Sequence, residues 1–375
     1  MKILMLNYEF PPIGGGAANA HLRLLTQYAH NTDLRVDVLT SAPKPGVVSE
    51  QFSENIAIHK VGIHKKDLHF WRKVEVIEWL VRAKSHYRRL LRQDGYDLVH
   101  AFSGFPTGWL CYRAKGGPPY IISLRGSDVP GRHARLQLEY KILAPVFRRI
   151  WRNAAALVAC SEGLKDRALR FLPSVSIDVI PNGVEIEKFH PGQSGETSDK
   201  LRLLTVGRLS ATKRVEMLID AVEILHIDGV KLHLTVAGGG QLEPQLKDTV
   251  SNRNLGEIVE IAGRIDPEKM PHLYRESDIF VSASLQEGMS NAMLEAMASG
   301  LPIITTRCEG VDELIADNGV IVERANAEEI AGAVRTVADN PQMRTDMAVA
   351  ARGRAKHYTW SRVADEYLSL YERVK

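Results

Sequence analysis

Ile279-Phe280-Val281-Ser282-Ala283 leads through a short loop into Glu287-Gly288-Met289-Ser290-Asn291-Ala292-Met293-Leu294-Glu295. The first run is apolar and β-branched, as a buried strand is; from Asn291 to Ala298 the residues are good helix formers. One carboxylate therefore stands in a loop at the carboxyl end of a strand, and the other about one turn into a helix. Strand, loop and helix in that order build parallel α/β sheets, whose ligands bind beyond the carboxyl ends of the strands. A helix N-terminus attracts anions through free N–H groups and a partial positive charge. Carboxylates accept hydrogen bonds from hydroxyls instead. An anion held at that terminus, with a hydroxyl-bearing group on either side, describes a nucleotide-sugar.

The same grammar extends over the whole chain. Short apolar runs at 2–7, 34–40, 97–101, 120–124 and 156–160 alternate with helical patterns in the first half. Runs at 201–206, 231–237, 258–262, 278–283, 302–306 and 319–323 do so in the second. Two doubly wound, Rossmann-like domains facing across a cleft are expected. The first covers residues 1–189, a turn-rich linker 190–200, and the second 201–357, with a closing helix at 358–375 that packs back onto the first. Gly207-Arg208-Leu209-Ser210-Ala211-Thr212-Lys213 follows the first strand of the second half, so Arg208 and Lys213 can converge on one anion, as fork and point charge. Gly14-Gly15-Gly16 follows the first strand of the chain and is either a ligand contact or a tight turn; Asn19 breaks the dinucleotide fingerprint that would need glycine there. Gly238-Gly239-Gly240 ends another strand of the second half and either adds backbone room beside the same cleft or is a plain turn.

At 375 residues, with 45% hydrophobic and 25% charged side chains, the chain is an ordinary globular protein long enough for two domains. Cys111, Cys160 and Cys308 lie far apart, without metal or disulfide spacing, which favours a reducing compartment. No apolar run reaches the roughly 18 residues of a membrane span, so the expected location is cytoplasmic. The net charge of +3 hides an asymmetry: residues 1–190 carry roughly ten excess positive charges and the remainder roughly seven excess negative ones. The basic half should meet something anionic.

Taken together, Pro11-Pro12-Ile13-Gly14-Gly15-Gly16, Pro181-Asn182-Gly183-Val184, Gly207 through Lys213, Tyr274 before Ser277-Asp278-Ile279-Phe280-Val281, the Glu287–Glu295 block running on to Gly300-Leu301-Pro302, and His357-Tyr358-Thr359-Trp360 make the chain resemble a retaining glycosyltransferase of family 4, with the GT-B fold. The resemblance implies roles. Arg208 and Lys213 would bind the donor diphosphate and stabilise it as it leaves. Glu295 would hold the nucleotide ribose and Glu287 a hydroxyl of the transferred sugar, while the amides of Gly288, Met289, Ser290 and Asn291 meet sugar or diphosphate. Gly15 and Gly16 would close on the diphosphate from the other domain. The implied substrate is a UDP- or GDP-linked hexose or N-acetylhexosamine, and the acceptor a glycan or lipid-linked glycan. No separate cofactor and no metal are expected, since two cations and a helix terminus can neutralise a diphosphate. A GT-B epimerase and a catalytically silent nucleotide-sugar binder remain as alternatives.

Two positions depart from the family pattern. In Ser123-Leu124-Arg125-Gly126-Ser127-Asp128 an arginine stands where many relatives have histidine. Arg125 cannot serve as a base; it either pairs with an anionic group of a substrate or is a structural ion-pair partner, and Asp128 is a second possible acceptor or sugar contact. Arg214 replaces a common glycine after Lys213. The segment from His64 to Arg92 is basic, with Lys65, Lys66, Trp71, Arg72 and Lys73 at its head and an apolar stripe of Val74, Ile77 and Val81. It is either a face for an anionic membrane or an acceptor, which would make the protein peripheral on the inner side of the membrane, or a solvated helix whose stripe is core. The acidic second half and the lack of a recognition motif argue against nucleic acid.

Overall fold

A computed structural model describes residues 1–68, 70–93, 95–114, 116–131, 137–192 and 199–375; six residues of the expected linker, 193–198, lie outside them. The chain divides into two units, Met1–Asn182 with Trp360–Lys375, and Gly183–Thr359. The strands of the first are β1 (Lys2–Leu6), β2 (Arg35–Ala42), β3 (Gly46–Ser53), β4 (Ile56–Gly62), β5 (Leu98–Phe102), β6 (Tyr120–Leu124), β7 (Ala156–Ala159) and β8 (Asp178–Val179). Those of the second are β9 (Leu201–Val206), β10 (Leu232–Ala237), β11 (Val259–Gly263), β12 (Ile279–Ser282), β13 (Ile303–Thr306) and β14 (Gly319–Val322).

The second sheet is parallel throughout, in the order β11-β10-β9-β12-β13-β14. This is the doubly wound order, which reverses direction between β9 and β12. Both faces are covered, so its strands read as apolar runs rather than as alternating ones. Leu218, Ile219, Val222 and Leu225 recur at helical spacing along Val215–Ile227 and join Leu203, Val236, Ile279 and Ile304 in one core. Each such side chain contributes about 1.5–3 kcal/mol by leaving water.

The first sheet has the order β3-β4-β2-β1-β5-β6-β7-β8, parallel except for β3, which runs antiparallel to β4 at the edge. Its direction reverses between β1 and β5. Trp360, Val363, Tyr367, Leu370 and Tyr371 line one face of the helix Trp360–Val374 and share a core with Leu24, Leu25 and Tyr28. That face is not wholly apolar, because β5 buries His100. Its Nδ1 pairs with the Tyr371 hydroxyl at 2.7 Å and its Nε2 with Ser123 Oγ at 2.7 Å. Tyr371 continues to the Tyr28 hydroxyl (3.1 Å), and Ser123 to that of Tyr367 (2.8 Å). Burial, with the charge of Arg125 adding to it, holds His100 well below the usual histidine range. The ring is therefore neutral and can both donate and accept.

Three strands escape the periodicity of the sequence: β3, β4 and the two-residue β8. The β3–β4 hairpin turns at Asn55, whose amide donates to the carbonyls of Tyr28, Asn31 and Leu34. Ile56 and Ile58 alternate with half-buried neighbours, a signal present but short. A second difference concerns the stripe on the helix Lys73–Gln93. The helix buries Trp79, Ala83, Tyr87 and Leu90, whereas Val74, Ile77 and Val81 are 68%, 56% and 67% exposed. The stripe is not core.

His21 is the least satisfied group of this unit. It is fully buried, and neither ring nitrogen has a hydrogen-bond partner among the described residues. The ring stacks on Phe102 at 4.2 Å between centroids. Burial first, then the charge of Arg125, pushes its pKa down to about 3. The unfolded chain therefore takes up the proton first, at about pH 6.5. The stability His21 contributes is complete above that pH and is lost as pH falls toward about 3. At about pH 5 the loss is roughly 2 kcal/mol. His21→Leu should shrink the difference in urea-unfolding free energy between neutral pH and about pH 5 by that amount; an unchanged acid limb would contradict a neutral, buried ring.

Candidate functional site

In the second unit the loops after β9 and β12 start side by side, since Ile279 and Phe280 pair in register with Leu203 and Leu204. The first loop carries Arg208 and Lys213, the second Glu287 and the cap of the helix Asn291–Ala298. The two are stitched together by the Leu285 N–H, which donates to the Thr212 carbonyl at 2.8 Å. Lys213 Nζ donates to Glu287 Oε1 in an ion pair whose side chains are 22% and 13% exposed. Residues 74 apart in sequence thus form one charge pair at the place where the sheet reverses. Arg208 is exposed and has no hydrogen-bond or ion-pair partner among the described residues.

Glu295 lies one turn into the helix, half-buried. Tyr274 is fully buried between Phe189 and Phe280, and its hydroxyl donates to Glu295 Oε2 at 2.8 Å and approaches the Ala292 carbonyl at 3.3 Å. Burial, with the charge of Glu295 adding to it, raises the phenol pKa well above its ordinary value, so it stays a donor. The tyrosine fixes the carboxylate at the helix. Ser290 caps that helix, its Oγ accepting from the Met293 N–H at 3.3 Å; the side chains of Ser290 and Met289 are buried, whereas Gly288 and Asn291 are partly accessible. The role of Tyr274 was not legible beforehand, because a buried tyrosine next to a strand reads as core.

Gly238 and Gly240 turn out to serve the loop rather than to open space beside it. A Cβ on Gly238 would stand 1.9 Å from the Gly207 carbonyl oxygen, and one on Gly240 2.2 Å from that of Leu209. The Leu209 N–H donates to the Gly239 carbonyl at 3.0 Å, so the backbone carrying Arg208 rests directly on the glycine turn. Among the described residues no group of three or more His, Cys, Asp or Glu is arranged to hold a metal ion.

In the first unit Gly15 caps the helix Gly16–Tyr28, and Gly14, at φ +104°, occupies a conformation that favours glycine. Arg125 and Asp128 lie at the carboxyl end of β6. Asp128 accepts the backbone N–H of Gly104 and that of Arg125, both at 2.8 Å, and so shapes its own loop. The Arg125 guanidinium donates to Asn182 Oδ1 at 2.9 Å and lies over the Phe102 ring at 4.8 Å. It has no carboxylate partner among the described residues.

The head of the basic segment needs correction. Lys65 has a fully buried side chain: its Nζ pairs with Glu75 at 2.6 Å and sits over the Trp71 ring at 4.1 Å. Trp71 in turn packs edge-on against Tyr8 at 4.8 Å. A buried carboxylate needs a cation more than a surface does, and neither Lys65 nor Trp71 is part of an exposed face. Lys66, Arg72 and Lys73 are exposed. Trp151 is likewise core against Phe171, while Arg149 and Arg152 stay outside.

With this geometry in place, the comparisons with known proteins fall into one pattern. Residues 187–354 match the family described as Glycosyl transferases group 1, and residues 14–188 match Glycosyltransferase Family 4. The chain is a GT-B glycosyltransferase. An uncharacterized glycosyltransferase of Methanocaldococcus jannaschii is 25% identical over 100% of this chain and 99% of its own. Among solved structures, the sucrose-phosphate synthase of Thermosynechococcus elongatus superposes with a TM-score of 0.84 at 20% identity, covering 100% of this chain and 98% of that one. Anabaena HepE in complex with UDP and glucose gives 0.75 at 17% identity, with both chains fully covered. No helix among the described residues is long and apolar enough to cross a membrane.

Replacing Gly238 by alanine tests the glycine turn. The added methyl must displace the Gly207 carbonyl, and the position has φ +140°. The variant should lose about 1–3 kcal/mol or more in chemical denaturation. Wild-type stability would show that the loops are not seated as described.

Proposed function

We propose that this glycosyltransferase is retaining and moves a hexose or N-acetylhexosamine from a UDP- or GDP-linked donor to a glycan or lipid-linked acceptor, with no metal required. The observation that carries this reading is the Lys213–Glu287 pair at the reversal of the second sheet, flanked by the unpartnered Arg208 and the tyrosine-held Glu295. Without ligand, the lysine and glutamate satisfy each other. A nucleotide-sugar offers each a better partner: its diphosphate takes the ammonium, and a sugar hydroxyl donates to the carboxylate. Glu295 accepts the ribose hydroxyls.

In the reaction the bond from the sugar's anomeric carbon to the diphosphate oxygen breaks, and its electron pair leaves with the diphosphate. Lys213, Arg208 and the N-terminal amides of the helix Asn291–Ala298 stabilise that growing negative charge. The acceptor hydroxyl attacks from the face the diphosphate is leaving, and its proton passes to a diphosphate oxygen. No carboxylate acts as a covalent nucleophile in this sequence. The UDP and glucose bound by Anabaena HepE support a uridine donor.

The acceptor side of the reading rests on the first unit. Val74, Ile77 and Val81 continue, at the same helical spacing, into exposed Lys84 and Arg88. The helix Gln137–Arg152 exposes Leu138 and Ile142, each 67% accessible, and ends in exposed Arg149 and Arg152. Apolar turns followed by basic turns suit an anionic membrane surface, where lipid-linked acceptors reside.

Thermal stabilisation by UDP, GDP, ADP and CMP tests the donor site. A nucleotide at about a hundred times its Kd should add roughly 2.7 kcal/mol. A selective shift, lost in Glu295→Ala and Lys213→Ala, is expected, with turnover in Glu287→Ala reduced on the order of 10²-fold. Near-normal turnover in that variant removes Glu287 from the mechanism, and binding without any turnover favours a silent binder. For the membrane face, Lys84→Glu with Arg88→Glu should weaken co-sedimentation with phosphatidylglycerol vesicles by about 30-fold or more, leaving binding to phosphatidylcholine unaffected. Undiminished sedimentation would rule out this surface.

A further inference from the structure

Lys213 is followed by an arginine whose backbone adopts φ 48° and ψ 43°, the left-handed conformation that glycine takes freely and other residues take at a cost. A cost of this kind persists only where other interactions hold the residue in place. The Arg214 side chain supplies them. Its Nε donates to the Ala283 carbonyl at 2.6 Å, just past the end of β12. Its Nη2 donates at 3.1 Å to Oγ1 of Thr306, the last residue of β13. Thr306 Oγ1 passes the bond on, donating to the Ser284 carbonyl at 3.2 Å. With the Thr212–Leu285 backbone bond, the segment 212–214 is laced to 283–285 and to β13. Lys213 lies inside the first segment, and Glu287 follows the second by two residues.

We propose that Arg214 is a positioning residue of the donor site, clamping the loop of Lys213 to the strand ends that carry Glu287. The inference rests on the reading of that pair as donor-binding. The planar fork of a guanidinium can reach a carbonyl and a hydroxyl on two adjacent strands, which a lysine ammonium cannot do with one fixed geometry. Arg214 also has no carboxylate partner among the described residues. Half-buried and still charged, it adds to the positive potential that a diphosphate meets at Lys213. An arginine here thus does two things a glycine cannot: it fixes the loop before the donor arrives, and it adds charge beneath it.

Arg214→Gly is the informative variant, because glycine keeps the backbone conformation while removing the clamp together with its charge; the exchange rates report the clamp alone. Amide hydrogen exchange in the ligand-free protein should become at least about tenfold faster across 208–213 and 285–290. Affinity for UDP or GDP, whichever stabilises the wild type, should fall at least about tenfold. The melting temperature should change by no more than about 2–4 °C. Arg214→Lys should fall between, and low-millimolar guanidinium ion should restore part of the affinity of Arg214→Gly. Wild-type exchange and affinity in Arg214→Gly overturn the clamp. If that variant fails to fold, Arg214→Lys decides by the same two readings, and wild-type behaviour overturns the proposal. Should the wild type bind no nucleoside diphosphate, the donor assignment fails, while the exchange in the two segments still decides the clamp.

Discussion

The reversal of strand order between β9 and β12 is the constraint on which the second unit depends. β10 and β11 lie beyond β9, and β13 and β14 beyond β12, so the two central strands send their chains away in opposite directions. The loops that follow them start side by side and are joined by the Leu285 N–H, which donates to the Thr212 carbonyl at 2.8 Å. Arg208, Lys213 and Glu287 stand on these two loops, and Glu295 on the helix that follows the second. The close packing under the first loop comes from the turn after β10. Gly238 and Gly240 allow the turn after β10 to support the backbone of Gly207 and Leu209 at distances no side chain would permit.

Charge on these loops is only partly paired. Lys213 and Glu287 neutralise each other, and both remain partly accessible. Arg208 is exposed and Arg214 donates to a carbonyl and a hydroxyl, and neither has a carboxylate partner among the described residues. Glu295 is treated differently. A buried phenol secures one of its oxygens, donating to Oε2 at 2.8 Å.

The first unit shows the opposite arrangement, a polar core closed upon itself. Tyr28, His100, Ser123, Tyr367 and Tyr371 satisfy one another across four segments of the chain. A buried network of this kind helps specify how the helix Trp360–Val374 is seated, because a shift along its axis would leave a neutral histidine and three phenols without partners. Arg125 lies at the edge of the network, its charge facing dipoles and an aromatic ring rather than a carboxylate. Legibility differed accordingly. The apolar strand runs showed through because burial on both faces leaves a strong local signal, whereas the edge strand β3 is exposed along nearly its whole length and β4 alternates only briefly around Ile56 and Ile58. Lys65 and Trp71 read as surface because their charge and aromaticity are visible in sequence, while the buried Glu75 that draws them inward is not.

By itself the sequence determined the alternation of strand and helix, the doubly wound class, and the loops that carry Arg208, Lys213, Glu287 and Glu295. These follow from periodicity, capping and glycine placement, which act over a few residues. Only the tertiary structure decided that Lys213 meets Glu287, that Tyr274 secures Glu295, that Arg214 ties its loop to the ends of β12 and β13, and that Val74, Ile77 and Val81 face outward. Each of these depends on which strands and helices become neighbours. That choice is made by packing over the whole unit, where residues tens of positions apart compete for the same buried volume.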